Sequence, residues 1–344
     1  MFTPRLAVTL LFLCSVCCNA ARAQDGGAAA WSGAGPHAVR TASFDWRDDQ
    51  RQRDVPVKVY LPTGRAPEAG WPLIVFSHGL GGSRDGYEYV GRRWASHGYV
   101  VIHPQHAGSD EAVWRGKPPA QVNAALLAAV RDPRNALERP RDVSFVIDRA
   151  LGMNGNAPWG SINPDRIGVG GHSFGAFTAL ATVGASAQTP MGRLSLRDPR
   201  IKAAVAMSAP VAPRQKDDRE AFGSVAVPVL HMTGDSDNSA IGDTPAADRR
   251  VPFDQATKAP AYLVTFRGRG GDHMVFSGRR WRGPAQSTDA RYQSLILLTT
   301  TAFWDAHLRD NADARAFLAG DAARSVLDPA ARYEVKPAPA LNPR

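Results

Sequence analysis

The sequence predicts an α/β protein with a mostly parallel central sheet and helices on both faces. Three observations carry that expectation. Short apolar runs recur at Leu73–Ser77, Tyr99–His103, Asp165–Val169, Ile201–Met207, Pro228–Thr233 and Ala261–Phe266. They are continuous rather than alternating, as strands buried on both faces require. Segments of helical spacing separate several of them, notably Gly86–His97, Arg141–Leu151 and Phe174–Thr182, and strands alternating with helices close most simply into a parallel sheet.

The elements follow in order. Met1–Ala23 has Arg5, an apolar run Leu6–Leu13 and Ala21-Arg22-Ala23. That is the layout of an export signal cleaved near Ala23, with an apolar centre too short to span a bilayer. No stable membrane anchor is expected, and the mature protein is placed in the periplasm or the medium. All three cysteines (Cys14, Cys17, Cys18) lie in this segment, so the exported chain would hold no disulfide and no thiol nucleophile. Residues 24–327 read as one α/β domain. Val55–Leu61 alternates like an edge strand. A helical insertion near 111–140 interrupts the rhythm over the sheet's carboxyl edge, and Thr288–Leu308 closes the series. The Pro/Ala-rich residues 328–344 read as a tail. The net charge of +9 comes from scattered arginines, with no basic run interleaved with stacking aromatics, so nucleic acid is not an expected partner.

The chemistry centres on "GGHSFGAF", residues 170–177. Gly-x-Ser-x-Gly between a strand and a helix places Ser173 on a sharp turn above the sheet's carboxyl edge, where a helix N-terminus adds unpaired N–H groups. A serine needs a base, and in this arrangement the order along the chain is serine, acid, histidine. Of the histidines after Ser173, His231 lies inside an apolar run and His307 near a helix end. His273, in "RGRGGDHMVF", has a flexible loop after a strand and is the expected base. The acid is sought in "TGDSDNS". Asp237, a few residues past Gly234, is favoured; Asp235 is the alternative, otherwise a turn residue. Asp272 is expected to point elsewhere. The oxyanion needs two backbone donors: the N–H of Phe174, and that of Leu80 in "FSHGLGG".

Other constellations carry less. His103, His106 and Asp110 in "HPQHAGSD" invite a metal reading, but a loop over the pocket explains them better. "GVGGHS" lacks the third glycine of a dinucleotide fingerprint. Trp114, Trp159 and Trp281 name no binding site. No metal or other cofactor is expected.

Residues 76–110, "GVGGHSFGAF", "LHMTGDSDNSAIG" and "GGDHMVF" together resemble the α/β-hydrolase superfamily. Within it the chain is most similar to the predicted dienelactone hydrolases, related to platelet-activating-factor acetylhydrolases and, more distantly, to cutinase-like polyester hydrolases. The resemblance spans about Val55 to Leu308. It implies an eight-stranded, mostly parallel sheet and a metal-free Ser173/Asp237/His273 triad. Dienelactone hydrolases use cysteine where this chain has Ser173, which argues against their substrate. The expected activity is hydrolysis of a small-molecule or lipid-like carboxylic ester. The alternatives are a lipase, thioesterase or polyester hydrolase with the same triad, and a non-catalytic hydrolase-like binding protein.

Overall fold

A computed structural model describes residues 28–156, 160–278 and 286–337. The N-terminal segment read as an export signal lies outside the described residues, as do Trp159 and Trp281.

The chain runs β1 (Val39–Asp48), β2 (Arg53–Pro62), β3 (Trp71–Ser77), α1 (Glu88–Ser96), β4 (Val100–Pro104), α2 (Pro119–Arg131), α3 (Pro133–Gly152), β5 (Ile162–His172) and α4 (Phe174–Thr182). A hairpin of β6 (Ser186–Thr189) and β7 (Gly192–Ser195) precedes β8 (Ile201–Met207), β9 (Val229–Gly234), β10 (Ala261–Phe266), α5 (Asp289–Leu308) and β11 (Ala331–Lys336). Among the described residues, nine strands form one sheet in the order β1-β2-β4-β3-β5-β8-β9-β10-β11. The run from β4 to β10 is parallel, and antiparallel pairs close both edges.

Alternation along each strand builds two cores from one apolar run, because successive side chains leave opposite faces of the pleat. Ile74 and Phe76 pack with Trp94 of α1 and Phe303 and Trp304 of α5. Leu73 and Val75 face the other way, onto Val143, Val146 and Ile147 of α3 and Ala176 and Ala179 of α4. The mostly parallel α/β sheet expected from the sequence is thus present. No helix among the described residues is long and apolar enough to cross a membrane.

Three expectations change. The resemblance implied eight strands, and the ninth comes from residues assigned to the C-terminal tail. "ARYEVK" pairs with β10 over its full length, Ala261 opposite Lys336 and Phe266 opposite Ala331. Its alternation explains this: Ala331 and Tyr333 are buried while Arg332 between them is exposed. Finally, the helix read as Arg141–Leu151 begins at Pro133. Asp132 caps it by accepting from the Arg134 N–H at 2.9 Å, Pro133 takes the first turn where no N–H is needed, and Pro140 is accommodated inside the helix.

Candidate active site

The carboxyl ends of five parallel strands, β3, β5, β8, β9 and β10, deliver the polar residues to one edge, the usual place for a site in such a sheet. After β5 the backbone turns sharply: Ser173 has φ 55° and ψ −119°, and α4 starts at the next residue. A side chain held in that region is strained by about 1–3 kcal/mol. The flanking glycines make the turn feasible. A Cβ on Gly175 would overlap the carbonyl oxygen of Ser77 in β3, and one on Gly171 would overlap the carbonyl of Gly175.

Ser173 Oγ lies 3.1 Å from His273 Nε2. On the far side of the ring, His273 Nδ1 is 2.9 Å from Asp237 Oδ1. Asp237 is fully buried, whereas the His273 side chain keeps a small exposed edge. Thr233 Oγ1 donates to Asp237 Oδ2 at 2.9 Å and Ser208 Oγ donates to Oδ1 at 2.7 Å. Both hydroxyls therefore serve the ionised carboxylate. With Asp237 accepting, the Nδ1 proton is held on that side and Nε2 presents its lone pair to Ser173.

Arg249, also fully buried, completes this corner. Its Nε lies 3.1 Å from Asp237 Oδ1 and donates to the Asp237 carbonyl at 2.6 Å; one Nη donates to the Ser208 carbonyl at 2.7 Å. Burial pushes this guanidinium below its ordinary pKa, and the Asp237 charge pulls it back. A buried carboxylate needs such donors to stay charged.

Leu80 and Phe174 line the same cavity of about 110 Å³ as Ser173 and His273. Among the described residues, neither backbone N–H donates to a protein acceptor. An adjoining apolar bay of about 330 Å³ shares Leu80, Tyr87 and Ser277 with that cavity and is walled by Trp114, Val122 and Leu126. Helix α2 of the insertion thus forms one side of the cleft. Behind the elbow, His172 packs at a tilt against His273 with ring centroids 4.6 Å apart, and its Nδ1 is 2.8 Å from the Tyr87 hydroxyl. Burial, with His273 beside it, holds His172 well below its ordinary pKa.

The other residues weighed from the sequence go elsewhere. Asp235 pairs with Arg332 of β11 and accepts from the Gly268 N–H at 3.2 Å. Asp272 accepts from the Met274 N–H in its own turn. His231 is buried against Phe253, and His307 meets the Tyr262 hydroxyl at 3.1 Å. His103, His106 and Asp110 turn to different partners: the Gly86 carbonyl, Ser77 with Asp142, and Gln105.

Ser208, Thr233 and Arg249 were missed. Ser208 ends an apolar strand at the site's edge, and that polar stop was the available signal. Arg249 gave none: it lies 12 residues from Asp237 among other arginines and aspartates.

The sheet order and the helices on both of its faces are those of an α/β-hydrolase fold. Over part of its length the chain is similar to platelet-activating-factor acetylhydrolases. The sequence profile of the family "Platelet-activating factor acetylhydrolase, isoform II" matches residues 52–117. Platelet-activating factor acetylhydrolase of Cavia porcellus is 26% identical over 138 residues, 33% of this chain and 32% of that protein. Those of Bos taurus and Canis lupus familiaris are each 29% identical, over 143 and 138 residues and about a third of either chain. The match spans about a third of the length of these relatives. The profile covers β3 and the loop with Leu80 and stops before Ser173, Asp237 and His273.

Proposed function

We propose that this chain is a serine esterase that cleaves a carboxylic ester through an acyl-enzyme on Ser173. The observation that carries the reading is the Ser173–His273–Asp237 line, 3.1 and 2.9 Å, on a strained turn beside two backbone N–H groups that have no protein acceptor among the described residues. In the reaction, Ser173 Oγ attacks the ester carbonyl as His273 Nε2 takes its proton. The Leu80 and Phe174 N–H groups receive the developing oxyanion. Collapse expels the alcohol, which takes the proton from His273. Water then attacks the acyl-enzyme, giving its proton to His273, and Ser173 recovers a proton as the acid leaves. Asp237 orients the imidazole and offsets its transient charge.

The relatives' name, platelet-activating factor acetylhydrolase, supports a lipid-like acetyl ester as the substrate class, and the apolar bay beside Leu80 has room for a non-polar group. The charged, apolar and small-residue pattern of Met1–Ala23 supports export. The test is turnover of p-nitrophenyl esters of increasing acyl length by the purified protein. Measurable kcat on at least the shortest acyl ester is expected; absence of turnover with every ester contradicts the reading. Asp237→Asn is expected to lower kcat by about 10⁴-fold by favouring the wrong imidazole tautomer. Asp235→Asn, which touches only the Arg332 and Gly268 contacts, is expected to leave kcat near wild type. Equal losses in the two variants would reassign the acid.

A further inference from the structure

The loop that presents Leu80 is fixed from behind by a buried histidine. His78 Nε2 accepts the backbone N–H of His106 at 3.1 Å, so in the neutral ring the proton sits on Nδ1. That Nδ1–H then donates to the Gly79 carbonyl at 2.7 Å. Burial, with the Arg139 charge adding to it, holds His78 well below its ordinary pKa and keeps it in this neutral form. In a trans peptide the C=O and N–H point in opposite directions. Pinning the Gly79 carbonyl toward His78 therefore turns the Leu80 N–H the other way, and Leu80 lines the cavity of Ser173. The Gly82 N–H, 3.1 Å from the same carbonyl, closes the turn.

Behind His78 lies a sealed Ser-His-Asp line. Ser77 Oγ is 2.9 Å from His106 Nε2, and His106 Nδ1 is 2.9 Å from Asp142 Oδ2. All three side chains are buried, so no substrate reaches them and their role is to hold position. Burial and the nearby Arg139 charge push His106 down to about 4, which keeps it neutral. Asp142 also takes Arg53 and Arg51 at 2.8 and 2.9 Å. Arg139, fully buried, donates to Thr178, Ser109, Ser77 and the His78 carbonyl and lies 4.5 Å from the Phe174 ring centroid. One cation thus touches both segments that carry the unpaired N–H groups.

We propose that His78 is a positioning residue for the oxyanion site: its Nδ1–H sets the Gly79–Leu80 peptide, backed by the Ser77–His106–Asp142 line and Arg139. This rests on the serine esterase reading.

Two variants of similar size separate the two ring nitrogens. Asn places its amide near the position of Nδ1 and can donate to Gly79; Gln places it near Nε2 and cannot. With p-nitrophenyl acetate, His78→Gln is expected to lower kcat by about 10²-fold, the scale of losing one oxyanion donor, with KM within about threefold. Affinity for a trifluoromethyl ketone, which needs the oxyanion site, should fall in parallel. His78→Asn should recover kcat to within about tenfold of wild type. Wild-type kcat in His78→Gln, or equal losses in both variants, would overturn the proposal. If His78→Gln shows no melting transition, Ser77→Ala, which deletes one hydroxyl, takes its place. It is expected to lower kcat about tenfold at unchanged KM, an early fraction of the full donor loss; unchanged kcat would overturn the proposal. An inactive wild type would instead remove the esterase reading itself, and this proposal with it.

Discussion

Ester turnover by Ser173→Ala is expected to fall by about 10⁶-fold in kcat, the scale seen when a triad nucleophile is removed. The substitution deletes one atom, Oγ, whose described partner is His273 Nε2. The positive φ of Ser173 and the backbone bond from its N–H to the Met207 carbonyl are untouched, and alanine has the same Cβ as serine. The melting temperature should therefore stay within about 2 °C of wild type, since no packing or buried hydrogen bond is lost beyond one half-exposed contact. Loss of activity without loss of stability is the signature. A low residual rate is still expected, because the Leu80 and Phe174 N–H groups remain and a bound water can attack. Measuring kcat and the melting temperature on the same preparation checks both halves. Retained turnover would mean that Ser173 is only a tight turn.

A steep loss of stability on mild acidification is the second large effect. His78, His103, His106, His172 and His231 are all buried. Burial is the first cause in each case, and it holds their pKa values below the ordinary 6.5, at about 3 for His103 and His231 and about 4 for His106. Below pH 6.5 the unfolded chain binds these protons and the folded chain does not. The stability these groups contribute is therefore complete above pH 6.5 and is lost as the pH falls toward 3–4. Each site gives a limiting slope of about 1.4 kcal/mol per pH unit, so five give about 7 kcal/mol per unit. Total stability is typically about 5–15 kcal/mol, so the melting temperature should drop sharply between pH 7 and pH 5. Asp142 adds to this only at lower pH. Burial raises it, but hydrogen bonds from His106 and Arg53 outweigh that and hold it at about 2, so its contribution fades between about pH 4 and 2. His231 has no hydrogen-bond partner on either ring nitrogen among the described residues; His231→Leu should make the acid slope shallower by one proton. A melting temperature flat from pH 7 to pH 5 would contradict the burial of these rings as neutral groups.

The sheet and the Ser173–His273–Asp237 line were legible in the sequence because each rests on a local pattern with one physical meaning. Continuous apolar runs mark strands covered on both faces, and small residues around Ser173 mark a turn that leaves no room for a Cβ. His273 could be read because loop glycines and chain order narrowed the choice. The supporting residues were not legible, because their partners are distant in sequence. Arg139 meets Ser77 across 62 positions, and Ser208 meets His273 across 65. No local spacing encodes such contacts. The C-terminal strand was missed for another reason. Its flanking prolines and alanines set the composition of the segment, while Ala331, Tyr333 and Val335 kept the period of two. The helix read from Arg141 likewise starts earlier, at Pro133, with Pro140 inside it.

If Ser173 carries the acyl group, a covalent label for serine nucleophiles must land on it. The protein is treated with a fluorophosphonate, digested, and the modified peptide located by mass spectrometry. A single adduct on Ser173 is expected, formed at a rate that follows the loss of esterase activity and absent from Ser173→Ala. An active protein whose adduct sits on another serine, or that loses no activity to the reagent, would contradict that role of Ser173.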